Sequence, residues 1–155
     1  MQNKYNQLIY NSKIKSREAT ISKLETGDLI KVVAETLPII YHYGIVEKTE
    51  NEIFVYHNDP YKINSNGGNL IKDTIKKFVN NRDIVSVEKT NIKTENIHEL
   101  YEALKTYKYD FINFNCEHFI NFAKGNKYFS SQVVRWTSVA LISMLVYYLI
   151  RNKKI

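Results

Sequence analysis

Leu29-Ile30-Lys31-Val32-Val33, Ile39-Ile40-Tyr41-His42-Tyr43-Gly44-Ile45-Val46 and Ile53-Phe54-Val55-Tyr56 are three runs of β-branched and aromatic residues separated by turn formers. Such runs suit a pleated, half-buried surface and read as consecutive antiparallel strands. Thr49-Glu50-Asn51 supplies a hairpin connection between the second and third. His42, inside the second run, and His57, at the end of the third, then lie near one another in the paired region.

Working outward from these strands, Met1 to Lys23 is polar and weakly periodic, with Lys13, Lys15, Arg17 and Lys23 scattered through it. It reads as an arm or a loosely docked helix, and no function is assigned to it. On the other side, Pro60, Asn64, Asn66, Gly67 and Gly68 mark a loop. Leu70 to Asn80 fits either a strand or a short helix, and Ile84 to Val87 is a further strand. Asn96 followed by Glu99 resembles a helix-capping pair, and Ile97, Leu100, Tyr101 and Leu104 repeat at helical spacing, which predicts an amphipathic helix ending near Lys108. No internal repeat is evident. The expected class is α+β, a small antiparallel sheet packed on helices.

The last segment differs in kind. From Trp136 to Ile150 every residue is apolar apart from Thr137, Ser138 and Ser143, with Arg135 before it and Arg151, Lys153 and Lys154 after. The stretch is shorter than the roughly 20 residues that usually cross a bilayer. Val133, Val134 and a snorkelling Arg135 extend it, and Tyr147 and Tyr148 suit an interfacial position. A buried terminal helix is the alternative, but a helix apolar on every face needs enclosing on every side, which a small domain hardly provides.

A chain of 155 residues has room for one domain. Its 44% apolar and 25% charged residues are ordinary for a globular protein. With five glycines and two prolines, no phosphate-cradling loop is visible. The single cysteine excludes an internal disulfide, and with four scattered histidines it gives no zinc spacing, so no metal is expected. Reducing cytoplasmic surroundings are the default expectation, and Met1 to Ile14 holds no apolar run long enough for a signal peptide. The net charge of +6 favours an anionic partner, a nucleic acid or an acidic membrane face. The basic residues are dispersed and no nucleic-acid module is recognisable, so no nucleic-acid partner is expected.

A thiol becomes a strong nucleophile when a helix N-terminus or an imidazole lowers its pKa. Cys116 has candidates for both. Asn115 is a favourable N-cap, and Phe119, Ile120, Phe122 and Ala123 continue as one apolar helical face, making Cys116 the first helical residue. A packed, inert cysteine is the alternative. His42, fixed on a strand and facing the same side as Gly44, is a candidate base. His57 could hold that imidazole in one tautomer, completing a Cys-His-His relay. His98, early in a helix among Glu95, Glu99 and Glu102, reads as a solvated surface residue. His118, two residues from Cys116, points away from the thiol and serves packing or a supporting hydrogen bond.

Asn115-Cys116-Glu117-His118-Phe119, followed by Asn121 and Gly125 and preceded far upstream by His42-Tyr43-Gly44-Ile45, resembles the lecithin:retinol acyltransferase family, whose hallmark is Asn-Cys-Glu-His-Phe. Gly27-Asp28-Leu29-Ile30 is similar to the start of that family's first strand, and Val55-Tyr56-His57 to its second histidine. Ser131-Gln132-Val133 and an apolar terminal helix ending Arg151-Asn152-Lys153-Lys154 resemble the HRAS-like suppressor branch of phospholipase A and acyltransferase enzymes. The likeness runs from about Thr26 to Ile155. It implies the circularly permuted papain-like (NlpC-type) topology, with Cys116 as nucleophile, His42 as general base and His57 as its orienting partner. It implies no cofactor. Tyr43 stands where many members carry tryptophan, the interval between the histidines is longer, and Ile40 stands two positions before His42, so no tyrosine role in oxyanion binding carries over.

The expected organisation is an arm over 1–23, a catalytic domain over 24–130 and a membrane anchor with a basic tail over 131–155. The activity that the resemblance implies is that of a phospholipase A and acyltransferase: an acyl chain passes from a glycerophospholipid to cysteine, then to water or to an amine or hydroxyl acceptor. The expected molecule is a monomer with a cytoplasmic domain tethered to an intracellular membrane. A peptidase or amidase of the NlpC kind and an inactive membrane-bound adaptor are the competing expectations.

Overall fold

The computed structural model describes residues 2–34, 40–126 and 130–152. Ile39, the start of the second apolar run, and the basic pair Lys153 and Lys154 lie outside them. The chain runs α1 (Gln2–Ile21), β1 (Leu29–Val33), β2 (Tyr41–Lys48), β3 (Ile53–Asn58), β4 (Leu70–Thr74), α2 (Ile75–Val79), β5 (Ile84–Glu88), α3 (Thr94–Leu104), α4 (Cys116–Ala123) and α5 (Ser131–Asn152). The fold is α+β, as the strand runs and helical spacings predict.

The strands form one antiparallel sheet in the order β4-β3-β2-β1-β5. Alternation along each strand sends successive side chains to opposite faces. On one face Leu29, Ile45, Tyr56 and Leu70 pack with Ile97 and Leu104 of α3 and Phe119 and Ile120 of α4. On the other, Ile30, Val32, Val46 and Val55 pack with Leu24 and with Phe78 and Val79 of α2. The stretch read as strand or short helix is both in turn: β4 ends at Thr74, whose hydroxyl accepts the Lys77 N–H and caps α2.

Two helix boundaries differ from expectation. α3 begins at Thr94, with Asn96 inside its first turn, where the Asn96 side chain accepts the Lys93 N–H at 3.3 Å. It stops at Leu104 because the chain turns at Thr106 and Tyr107 to join Asn69, whose N–H bonds the Tyr107 carbonyl at 3.0 Å. The N-terminal arm is a helix tied to the body by exposed contacts, Lys13 to Asp83 at 3.4 Å and Arg17 to Asn81 at 3.5 Å.

α5 is 22 residues long. At 1.5 Å per residue such a helix spans about 33 Å, enough for a hydrocarbon layer of about 30 Å. None of its apolar stretch is packed inside the protein. Leu141, Ile142, Met144, Tyr147 and Ile150 are each more than 60% exposed, which excludes the buried terminal helix as its state here. By length and composition α5 is able to anchor the protein in a membrane.

Candidate active site

The site is built where a β-ladder opens. β2 and β3 pair from Lys48↔Ile53 to Ile45↔Tyr56 and no further, while β2 runs on to Tyr41 paired with β1 alone. Backbone groups alternate in direction along an antiparallel strand. The bonds Ala34 N–H to Ile40 and Val46 N–H to Asp28 show that the even-numbered residues of β2 face β1. Tyr41 and Tyr43 therefore turn their N–H and C=O toward the space that β3 has left, and buried backbone groups need partners.

Two side chains fill it. The Cys116 thiol donates to the Tyr41 carbonyl at 3.7 Å, and its sulfur accepts from the Tyr43 N–H. Gln132, in the first turn of α5, takes both backbone groups of Tyr41: its Oε1 accepts the N–H at 3.0 Å and its Nε2 donates to the carbonyl at 3.3 Å. This amide stands in for the absent strand.

Cys116 opens α4 for local reasons that the sequence carries. The Asn115 Oδ1 accepts the Glu117 and His118 N–H groups at 2.9 and 3.1 Å. The Asn115 N–H in turn bonds the His118 Nδ1 at 3.2 Å. His118 thus caps the helix with a supporting hydrogen bond. Glu117 reaches the other way. Its carboxylate accepts the Ser130 hydroxyl at 2.7 Å, the Ser131 hydroxyl at 2.5 Å and the Gln132 N–H at 3.0 Å, so it caps the start of α5. Burial alone would raise its pKa, but these bonds hold it below the usual carboxylate value.

The thiol corrects one expectation. Burial pushes its pKa up to about 12, against the lowering effect of the Tyr43, Cys116 and Glu117 N–H groups. Desolvation outweighs the helix terminus, so the resting group is a neutral thiol rather than a thiolate.

The β2–β3 register brings His42 and His57 together, with the His42 Nε2 2.8 Å from the His57 Nδ1. The His57 Nε2 lies 3.2 Å from an oxygen of Asp73. Asp73 on β4 is opposite Val55, and His57 is opposite Ile71, so acid and imidazole are diagonal neighbours on one face. Hydrogen bonding from His57 holds Asp73 well below the ordinary carboxylate range, assisted by Lys62 at 2.5 Å. An ionised Asp73 accepts only, so the His57 Nε2 carries the proton and its Nδ1 accepts from His42. The His42 Nδ1 is then left with a free lone pair. Phe78 of α2 stacks on His42 at 5.3 Å and meets His57 edge-on at 5.0 Å. Burial, reinforced by the charges of His57, Arg82 and Lys62, lowers the His42 pKa well below the usual imidazole value. Burial also lowers that of His57, against the pull of Asp73.

Cys116 and His42 line one cavity of about 510 Å³, together with Tyr41, Lys62, Tyr109, Phe111 and Gln132. Among the described residues no hydrogen bond joins the thiol to either imidazole; its proton rests on the carbonyl next to His42 in the chain. The structure therefore brings His42 and His57 into contact and sets Cys116 on a cavity shared with His42. His42, His57 and Asp59 hold ligand atoms within 4.8 Å of one another and could receive a metal ion, although the two imidazoles spend their facing nitrogens on each other.

Sequence reasoning missed Asp73 and Gln132. A half-buried acid two residues along β4 from Ile71, the residue opposite His57, can be found only once the β3–β4 register is known. Gln132 belongs to a helix with no periodic signal. His98 is a surface residue, as expected, and its Nε2 also lies 2.5 Å from Glu47, a buried acid that accepts from Lys72 and Tyr56 as well. Burial would raise the Glu47 pKa, and these three donors lower it overall. No family model matches the chain, and neither a curated protein nor a solved structure matches it.

Proposed function

We propose that the protein is a membrane-anchored phospholipase A and acyltransferase, working through Cys116, His42 and His57. The observation that carries this reading is the shared cavity: the thiol and the imidazole line it together with Gln132, whose helix is able to enter a bilayer. Where the anchor leaves the domain, the nearest electrophile is an acyl ester. The wall also carries Lys62, Lys77 and Arg82, which suit a lipid phosphate, and Tyr61, 77% exposed, stands at its rim beside Ile63.

In the proposed reaction the neutral His42 takes the thiol proton at Nδ1 as the sulfur attacks the ester carbonyl. The C–O bond breaks, the alcohol leaves with that proton as a lysophospholipid, and Cys116 holds the acyl chain as a thioester. Water, an amine or a hydroxyl then attacks the thioester, its proton passing through His42 to the departing sulfur. The Cys116 N–H at the start of α4 is a donor for the oxyanion. The chain order His42, His57, Cys116 is that of the permuted papain-like enzymes and of the lecithin:retinol acyltransferase family, and we assign the domain to that topology on this basis. In this reading the catalytic domain lies on the cytoplasmic side of an intracellular membrane, as a monomer.

The test is mass spectrometry of the intact protein after brief exposure to phosphatidylcholine vesicles. An acyl adduct on Cys116, absent from Cys116→Ala, together with fatty acid release that the substitution abolishes, is expected. Equal fatty acid release from wild type and Cys116→Ala would sink the proposal. The thiol's rest on the Tyr41 carbonyl favours one second reading, an inactive membrane-bound adaptor, which predicts no adduct with any ester. Cleavage of short peptides with no action on lipid would point instead to a peptidase of the NlpC kind.

A further inference from the structure

Among the described residues Gln132 is the one buried side chain on α5, and the reaction as written makes no use of it. It is 7% exposed, lies in the first turn of the helix, and spends both ends of its amide on the backbone of a single residue, Tyr41. Tyr41 is also the residue whose carbonyl holds the thiol proton. One carbonyl oxygen thus accepts from the anchor helix and from the nucleophile at the same time.

We propose that Gln132 is a positioning residue that couples the anchor helix to the nucleophile, by satisfying the Tyr41 backbone so that Cys116 is free to give up its proton. The reasoning is an accounting of donors. When the thiol proton leaves for His42, the Tyr41 carbonyl loses one of its two donors. With Gln132 present it keeps the other, so the half-buried carbonyl is not left bare. Without Gln132 the thiol is the sole donor to that oxygen among the described residues, and deprotonation leaves a half-buried acceptor unpaired beside a negative sulfur. The Tyr41 N–H loses its partner too, leaving the end of β2 that carries His42 held by β1 alone. Glu117, the residue after the nucleophile, binds the same turn of α5 through the Gln132 N–H, so the helix is held at two points that straddle Cys116. The bilayer's hold on α5 is thereby transmitted to the thiol. This inference rests on the reading of Cys116 as a nucleophile.

The titrating and charged groups that face the thiol are His42 and Tyr43 of β2, Tyr109 of the loop before α4 and Glu117 of α4, with Arg135 of α5 acting on Tyr43. Substitutions at Gln132 leave all of them in place. Full-length protein in phospholipid nanodiscs is alkylated with iodoacetamide across a pH series, as wild type, Gln132→Met, which keeps the shape and loses both bonds, and Gln132→Asn, which is too short to span the Tyr41 N–H and carbonyl. Alkylation slowed about tenfold near neutral pH, the worth of one buried hydrogen bond, and a rate curve moved to higher pH are expected in both. Faster amide exchange at Tyr41 accompanies them. General loosening would expose the buried thiol and speed its alkylation, so the sign separates a positioning role from a merely structural one. Unchanged or faster alkylation in either variant overturns the proposal. Fatty acid release is followed in the same samples: variants that alkylate with these differences, while the wild type releases no fatty acid, keep the coupling and lose the lipid reading.

Discussion

Asp73 fixes where the protons sit in the relay, and its replacement by asparagine changes them without changing the shape. The asparagine amide can donate to the His57 Nε2, which reverses the donor and acceptor ends of both imidazoles and puts a proton on the His42 Nδ1. A loss of about 100-fold or more in kcat, with KM little changed, is expected for Asp73→Asn, on the scale of general-base catalysis. Steady-state kinetics of phospholipid hydrolysis check it. The same histidines set the acid limit of stability. Both have folded-state pKa values below the usual value of about 6.5, so between the two values the unfolded chain binds protons that the folded chain refuses. Stability then rises with pH in that window and falls as the pH drops below about 6.5. Asp73, shifted the other way, keeps its contribution until lower pH. Thermal melts should show Tm falling over that range, with a shallower fall in His42→Gln; an equal slope would mean that His42 is not buried neutral.

At the scale of elements, the helices around the site are held by single residues. A Cβ at Gly44 would come within 2.2 Å of Val55 and 3.2 Å of Phe78. Gly44→Ala should cost about 1–3 kcal/mol by overpacking, seen as a lower denaturant midpoint, and should disturb Phe78 where it stacks on the imidazoles. Glu117→Gln removes the charge that caps α5, and a loss of about 1–2 kcal/mol in stability is expected. The strands, the Asn115 cap and the apolar terminal helix were readable in the sequence because each is a local pattern of period, cap or composition. His42 and His57 were readable for the same reason, one short hairpin apart. The partners that finish the site are not local. Asp73 depends on the β3–β4 register, Glu47 reaches His98 across the sheet face, and Gln132 meets Tyr41 only after the whole sheet has formed. The thiol's raised pKa was hidden too, because a helix cap can be read from neighbours in sequence and burial cannot.

The molecule as a whole has two surfaces of different character, a domain with a mixed polar exterior and a helix exposed and apolar all round. A lysine near the middle of that helix opposes membrane insertion by about 2.5–3.5 kcal/mol. Leu145→Lys should therefore reduce the fraction that floats with vesicles on a density gradient, whereas Lys13→Ala, at the exposed tie of α1, should not; flotation of both at the wild-type level would remove the anchor. The opened ladder between β2 and β3 also bears on how the chain is made. A bare strand edge recruits other strands, and here the plug for it is carried by the last helix described. On the ribosome β2 emerges long before Gln132, so the edge at Tyr41 waits for α5. The newborn domain then keeps a bare edge until α5 arrives, so the cradle around the thiol cannot be finished before the helix that is able to enter a bilayer.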